Sequence, residues 1–89
     1  MIAMEYVITF KNTNLAIQSE RHLLDAKLQV TVMPLPSQIR AGCGICLRVP
    51  EDEIQEALEI LKAKKIEEIG LYSRTGTEVG FKYAEVTSF

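Results

Sequence analysis

The sequence predicts an α+β fold in which two helices pack on an antiparallel sheet, in the ferredoxin-like βαββαβ order. Three observations lead to this prediction. Short segments with the alternating pattern of half-buried strands are interleaved with two segments of helical periodicity. The second and third strands are joined by a short return, which favours antiparallel neighbours. With 89 residues, 47% of them hydrophobic and 25% charged, the chain has the size and composition of one globular domain, residues 1–89.

The first strand and helix follow from two periodicities. Residues 5–10 alternate in polarity as a half-buried strand does. Three N-cap candidates, residues 12–14, come next, and a helix then runs to about Lys27. Its apolar positions predict a broad buried stripe: Leu15, Ala16, Ile17, Leu23, Leu24, Ala26 and Leu28. Glu20 falls within this stripe, so its carboxylate is either covered by its own aliphatic stem or paired with a buried donor.

The next two strands flank a glycine-rich segment. Residues 30–35 form the second strand, and Pro34 suits a sheet edge because proline has no N–H to donate. Residues 45–49 form the third strand, in which Cys46 and Arg48 face away from the three aliphatic side chains. The return between these strands therefore carries the glycines and the first cysteine.

The second half of the chain repeats the helix–strand pattern. Pro50 opens a helix with acidic residues in its first turn and lysines at its end, the order that the helix dipole favours. Residues 66–72 form the fourth strand, and Thr75-Gly76 forms a turn. Residues 79–86 form either a fifth strand or an arm that pairs with a partner subunit.

Composition and charge exclude several classes of function. The net charge of −2 argues against nucleic acid and anionic membranes as partners, since both require a basic face. The open faces of strands one and three also lack the aromatic residues with which RNA-binding sheets stack bases. No apolar run approaches the roughly 18–20 residues that span a bilayer, and no secretion signal is visible. We therefore expect a cytoplasmic protein with reduced cysteines.

The return between the second and third strands carries the strongest chemical signal. Cys43 lies between Gly42 and Gly44, three residues after Arg40 and five before Arg48. Glycine has no Cβ, so a reactant can come close to the thiol. A neighbouring guanidinium favours the nucleophilic thiolate over the thiol. The alternative interpretation is a glycine-rich turn with an inert cysteine.

The predicted topology gives Cys43 a neighbour that is distant in sequence. In the βαββαβ fold, the loop between strands two and three lies at the same end of the sheet as the start of the first helix. There, unpaired amide groups and the positive end of the helix dipole stabilise a thiolate or another bound anion. The thiol and the residues expected to bind an anion beside it are Cys43, Arg40, Gly42, Gly44, Asn12, Thr13, Asn14 and Arg48.

The spacing Cys43-x-x-Cys46 invites two other interpretations. A redox dithiol is disfavoured because an extended chain separates the two residues by roughly 10 Å, whereas a disulfide needs Cα atoms within about 7 Å. It would form only if the loop curled through Gly44. A metal site is disfavoured because His22 is the only other soft ligand, although a site shared across a dimer stays open.

Taken together, these segments resemble the selenium/sulfur carrier-like family of small bacterial proteins. The resemblance covers roughly residues 5–73 and leaves 74–89 as a C-terminal extension, which we expect to serve assembly. Its motifs are Phe10 at a strand end; Thr13, Ala16, Glu20 and Leu23 in the helix; Val32-Met33-Pro34-Leu35-Pro36; Ala41-Gly42-Cys43-Gly44; and Leu47-Arg48. In that family the cysteine corresponding to Cys43 is regarded as the carrier residue, and the resemblance implies this role for Cys43 alone.

Two positions depart from the family pattern. The family often has an arginine where this chain has Ser37, so Arg40 is the candidate replacement for a basic group near the thiol. Cys46 stands where the family usually has a small apolar residue, which suits packing within a strand.

The favoured hypothesis is a thiol-based carrier without cofactor or metal. Cys43 takes sulfur or selenium from a donor protein and passes it to an acceptor, which needs no general base, so a carrier fits better than an enzyme. The alternative is a small anion-binding, ligand-binding or protein-interaction module without thiol chemistry. Because no predicted helix covers the sheet face of Val7, Cys46 and Arg48, we expect a homodimer or the C-terminal strand to cover it.

Overall fold

The computed structural model describes residues 4–87. Residues 1–3 and 88–89 of the predicted domain lie outside these described residues. In chain order the elements are β1 (Met4–Thr9), α1 (Thr13–Asp25), β2 (Thr31–Pro34), β3 (Ile45–Pro50), a short 3-10 helix (Glu51–Glu53), α2 (Ile54–Ala63), β4 (Gly70–Thr77) and β5 (Gly80–Glu85).

The strands form one antiparallel sheet in the order β2-β3-β1-β4-β5. β3 lies between β1 and β2, with Val7 opposite Arg48 and Met33 opposite Cys46, so the predicted neighbours of β3 are confirmed. Both helices pack on one face of the sheet, where their buried residues form one cluster with every second residue of β1 and β3. The structure is therefore an α+β fold with two helices on a five-stranded antiparallel sheet, an order compatible with the predicted sandwich.

Helix α1 begins where the sequence predicts but buries a narrower face. The Asn12 side chain caps it by accepting a hydrogen bond from the Leu15 amide at 2.9 Å. Its buried residues are Ala16, Ser19 and Leu23. The predicted broad stripe is wrong in part, because Ile17 and Leu24 are 53% and 48% exposed. Both lie on the side of the helix that faces away from the sheet, beside the half-buried Glu20.

The two helices end in the same way. Lys27 and Lys65 adopt positive φ angles of 65° and 60°. In each case the next residue donates a backbone hydrogen bond to the residue five positions earlier, from Leu28 to Leu23 and from Ile66 to Leu61. These are Schellman ends, and the buried aliphatic residue after each lysine supplies the hydrophobic contact that accompanies the motif.

The predicted fourth strand is wrong in its position. Ile66 is buried as the hydrophobic end of α2, and β4 begins only at Gly70. The predicted turn at Thr75-Gly76 lies within β4, and the chain turns two residues later. Gly80, with φ of +139°, follows this turn and begins β5. Glycine at position 76 suggests a turn from sequence, but a strand tolerates glycine when a large neighbour fills the space of the missing side chain. Here the Phe81 ring does so.

The sheet face opposite the helices is covered by this chain itself. Ile39, from the loop that joins β2 and β3 (residues 35–44), packs on Val7 and Cys46. Partly buried side chains of β2, β4, β5 and the loop complete the cover: Met33, Leu35, Tyr72 and Tyr83. The C-terminal strand contributes Tyr83, in agreement with one of the two expectations, and the loop contributes Ile39 and Leu35. The expected homodimer stays a prediction, and it is no longer supported by an uncovered sheet face.

Candidate functional site

Cys43 lies against the first residue of α1. Its Sγ is 3.6 Å from Oγ1 of Thr13 and accepts a hydrogen bond from the Ile45 amide at 3.4 Å. The position that topology predicts for Cys43, beside residues 12–14, is therefore confirmed. Thr13 accepts from the neutral thiol in this arrangement, and the hydroxyl can rotate to donate to a thiolate. Two donors and the positive end of a helix dipole then face the sulfur.

The thiol is nevertheless enclosed. Cys43 is only 2% exposed and belongs to the same buried cluster as Phe10 and Leu47. Reactive cysteines need partial exposure as well as an electropositive surrounding. In the described conformation Cys43 has hydrogen-bond donors beside its sulfur, but a reactant cannot reach the thiol.

The two glycines beside Cys43 have different surroundings. A Cβ built on Gly42 would lie 2.3 Å from the Lys11 carbonyl oxygen, so this glycine permits backbone-to-backbone contact with the turn before α1. A Cβ on Gly44 would meet no atom within 4 Å. Gly42 therefore seats the loop against the start of α1, which is a structural role that the sequence does not distinguish from easy access to the thiol.

The asparagines at the start of α1 do not contact the sulfur. Asn12 is engaged as the helix cap, and Asn14 is exposed. Both line a cleft with Lys11 and Lys65, but the same cleft carries Glu67 and Glu68. Lys11 is paired with Glu68 at 3.4 Å. The charges of this cleft are thus balanced, and Cys43 does not line it.

Neither arginine of the candidate site forms a hydrogen bond or an ion pair with Cys43 among the described residues. Arg40 is exposed and makes no ion pair with any of residues 4–87. Arg48 lies on the face opposite the helices, where its Nε is 3.4 Å from a Glu5 carboxylate oxygen. The other oxygen of Glu5 accepts from Arg74 at 2.5 Å, and Arg74 also donates to the Tyr83 hydroxyl at 3.1 Å. Arg48 therefore belongs to an ionic network that ties β3, β1, β4 and β5 together, away from Cys43.

Cys46 occupies the opposite face of the sheet from Cys43. It is fully buried under Ile39, and its thiol points at the carbonyls of Met33 and Pro34 at 3.7 and 3.8 Å. Burial, reinforced by the nearby Cys43 and opposed by Arg74, raises the pKa of Cys46 to about 11. Both cysteines are free thiols. The predicted separation of the two side chains is thus seen in the structure.

Two kinds of feature are not found in the described part of the chain, a cluster of metal ligands and a membrane-spanning helix. Within residues 4–87, no three histidine, cysteine or acidic side chains come together as a metal site would require. No helix in the same range has the length and apolar character needed to cross a bilayer.

Comparison with known families decides the relationship. The model of the family described as "Putative Se/S carrier protein-like" matches residues 5–73. The chain belongs to this family. The match begins at the second residue of β1, includes α1, the loop with Cys43 and α2, and ends within β4. No curated protein and no solved structure matches the chain.

Two features of this member of the carrier-like family escape prediction from sequence. Ile39 is 4% exposed although it lies in a loop between polar residues. The one sequence signal for its burial is that it is a single large aliphatic residue in an otherwise polar segment, and this signal is weak. Ser19 is fully buried with no hydrogen-bond partner for its hydroxyl within the described residues, and its polar character hides that burial.

Proposed function

We propose that this protein carries sulfur or selenium as a persulfide or selenopersulfide on Cys43. Membership of the Se/S carrier-like family supports the class of function. The observation that carries the choice of residue is the contact of Cys43 with Thr13 at the start of α1. The Ile45 amide donates to the sulfur, and the Thr13 hydroxyl beside it can rotate to donate as well, so an outer chalcogen carried on Cys43 has hydrogen-bond partners at this point.

The proposed exchange is balanced in atoms and electrons. The Cys43 thiolate attacks the outer chalcogen of a donor persulfide or selenopersulfide, and the donor leaves as its own thiolate. Cys43 then bears one additional chalcogen atom. An acceptor thiolate attacks that atom and the Cys43 thiolate leaves. No net oxidant is required, because the sulfane chalcogen passes unchanged in oxidation state from donor to acceptor.

Cys46 is kept from discharging this intermediate. In a flexible Cys-x-x-Cys segment the second thiolate attacks the persulfide, forms an internal disulfide and releases hydrosulfide. Here the two cysteines lie in buried clusters on opposite faces of the sheet, and burial raises the pKa of Cys46 to about 11. Cys46 therefore faces away from a persulfide on Cys43 and is protonated at neutral pH. Both features support a carrier with one reactive thiol.

The experiment is to load the protein with a small persulfide donor and weigh the intact chain. We expect a mass increase of one sulfur atom that is reversed by a reducing agent. Cys43→Ser should abolish the adduct, and Cys46→Ser, a matched change three residues away, should keep it. An adduct that persists in Cys43→Ser and disappears in Cys46→Ser would contradict the assignment, and so would no adduct on the wild-type chain.

We place the protein and its donor and acceptor in a reducing compartment, since a carrier thiol must be free to react again after each transfer. The partners are expected to be proteins that bear a reactive thiol or selenol.

A further inference from the structure

We propose that Ile39 is a positioning residue that controls access to Cys43 by holding the β2–β3 loop closed. This inference rests on the proposed function insofar as Cys43 is the carrier residue. It concerns the regulation of that site, namely that donors reach the thiol only when the loop has opened.

The need for opening follows from the burial of the thiol. With 2% of its surface exposed, Cys43 offers no room for the in-line approach of a donor sulfur. Its hydrogen-bond contacts come from the first residue of β3 and from the start of α1: the Ile45 amide and the Thr13 hydroxyl. Movement of the loop away from α1 is thus the smallest change that uncovers the sulfur.

Besides the contact of Cys43 with Thr13 and the partly buried Leu35, three contacts hold the loop in place. The Leu35 amide donates to the Gly44 carbonyl at 3.0 Å and closes its base. The backbone at Gly42 rests on the Lys11 carbonyl on the helix side. Ile39 inserts into the opposite face of the sheet, where it is 4% exposed. The loop therefore straddles the end of the sheet, with one anchor on each face.

Ile39 is the anchor that opening has to release. The side chains next to it, Gln38 and Arg40, are exposed and add no buried apolar area. An apolar contact has no directional hydrogen bonds to break, so the loop can lift locally while β1 and β3 stay paired. Loss of the Ile39 contact should therefore raise the population of the open loop more than it raises global unfolding.

The experiment measures the rate at which iodoacetamide alkylates Cys43 in the full chain, in a Cys46→Ala background that leaves one thiol. Rates are recorded at increasing urea below the unfolding transition, beside an independent unfolding curve for each variant. Ile39→Ala is compared with Ile17→Ala, the same deletion at a residue that is 53% exposed. Ile39→Leu tests rescue by a side chain of equal volume.

Local opening predicts that the alkylation rate stays almost constant at low urea, because little surface is exposed. Ile39→Ala should raise this rate by about tenfold or more. Ile17→Ala should leave it unchanged, and Ile39→Leu should return most of the protection. Two results would overturn the proposal: a rate that climbs with urea from the start as global unfolding does, or equal rates in Ile39→Ala and Ile17→Ala.

Failure of this inference is distinguishable from failure of the proposed function. Alkylation reports access to the thiol whether or not Cys43 carries a chalcogen. If Ile39→Ala accelerates alkylation but no variant takes up sulfur, the loop is gated and the carrier proposal is wrong. If sulfur is taken up on Cys43 with the same rate in both alanine variants, the carrier proposal stands and the gate is wrong.

Discussion

Two glycines flank one thiol, and only one of them is needed for the shape of the loop. The Gly42 backbone lies so close to the Lys11 carbonyl that a Cβ has no room, whereas Gly44 borders open space. Sequence alone gives both the same meaning, since a missing Cβ serves close packing and close approach of a reactant equally well. The difference appears only when the turn before α1 is placed beside the loop.

Gly42→Ala should therefore destabilise the protein and Gly44→Ala should not. The added methyl group at 42 forces the loop away from Lys11, at a cost of about 1–3 kcal/mol. The same change at 44 should stay within about 0.5 kcal/mol of the wild type. Urea unfolding curves of the two variants provide the measurement. Equal losses of unfolding free energy in both would show that the contact at Gly42 does not position the loop.

At the scale of elements, local patterns predict β1, the start of α1 and β3 because periodicity and capping agree there. The Asn12 cap and the alternation of β3 are local and strong, and both are seen in the structure. The pattern fails for β4, because Ile66 looks like the first residue of a strand but serves as the hydrophobic end of α2. The role of Ile66 becomes clear only when the left-handed backbone conformation of the residue before it, Lys65, is known.

The left-handed residue at the end of α2 yields a prediction of opposite signs at two lysines. Lys65→Gly should stabilise the protein by about 1 kcal/mol, because glycine adopts φ of 60° without the steric cost that lysine bears. Lys62→Gly, inside the last turn of the same helix, should destabilise it by about 0.5–1 kcal/mol. Thermal unfolding of the two variants should move in opposite directions. A loss of stability in Lys65→Gly would refute the assignment of the helix end.

At the scale of the whole molecule, the sheet places Cys43 and Cys46 on opposite faces, although they are only three residues apart in the chain. Topology predicts the encounter of Cys43 with Thr13, since it fixes which loop faces which helix end. It does not predict that Arg48 is drawn into the network of Glu5 and Arg74, because that network depends on β4 and its register. Nor does it predict the burial of Cys43, which lies in the cluster between the sheet and the helices.

The buried Cys46 makes the stability of the whole protein depend on alkaline pH. Its pKa is raised from 9.0 to about 11 by burial, so between these values the unfolded chain has lost a proton that the folded chain keeps. The unfolding free energy should therefore fall as pH rises from about 9 to about 11, by no more than about 3 kcal/mol. Cys46→Ala should show a shallower decline in urea unfolding over this range. Parallel curves for the two proteins would mean that Cys46 does not titrate in this way.

The central claim is that Cys43, and not Cys46, carries the chalcogen. Cleavage after Arg40 and Arg48 releases both cysteines in one peptide, residues 41–48, and fragmentation between Gly44 and Ile45 separates them. After treatment of the wild-type protein with a persulfide donor, capture of the persulfide and fragmentation of this peptide should place the added sulfur on the fragment with Cys43. An added sulfur on the fragment with Cys46, or an internal disulfide in place of a persulfide, would contradict the account.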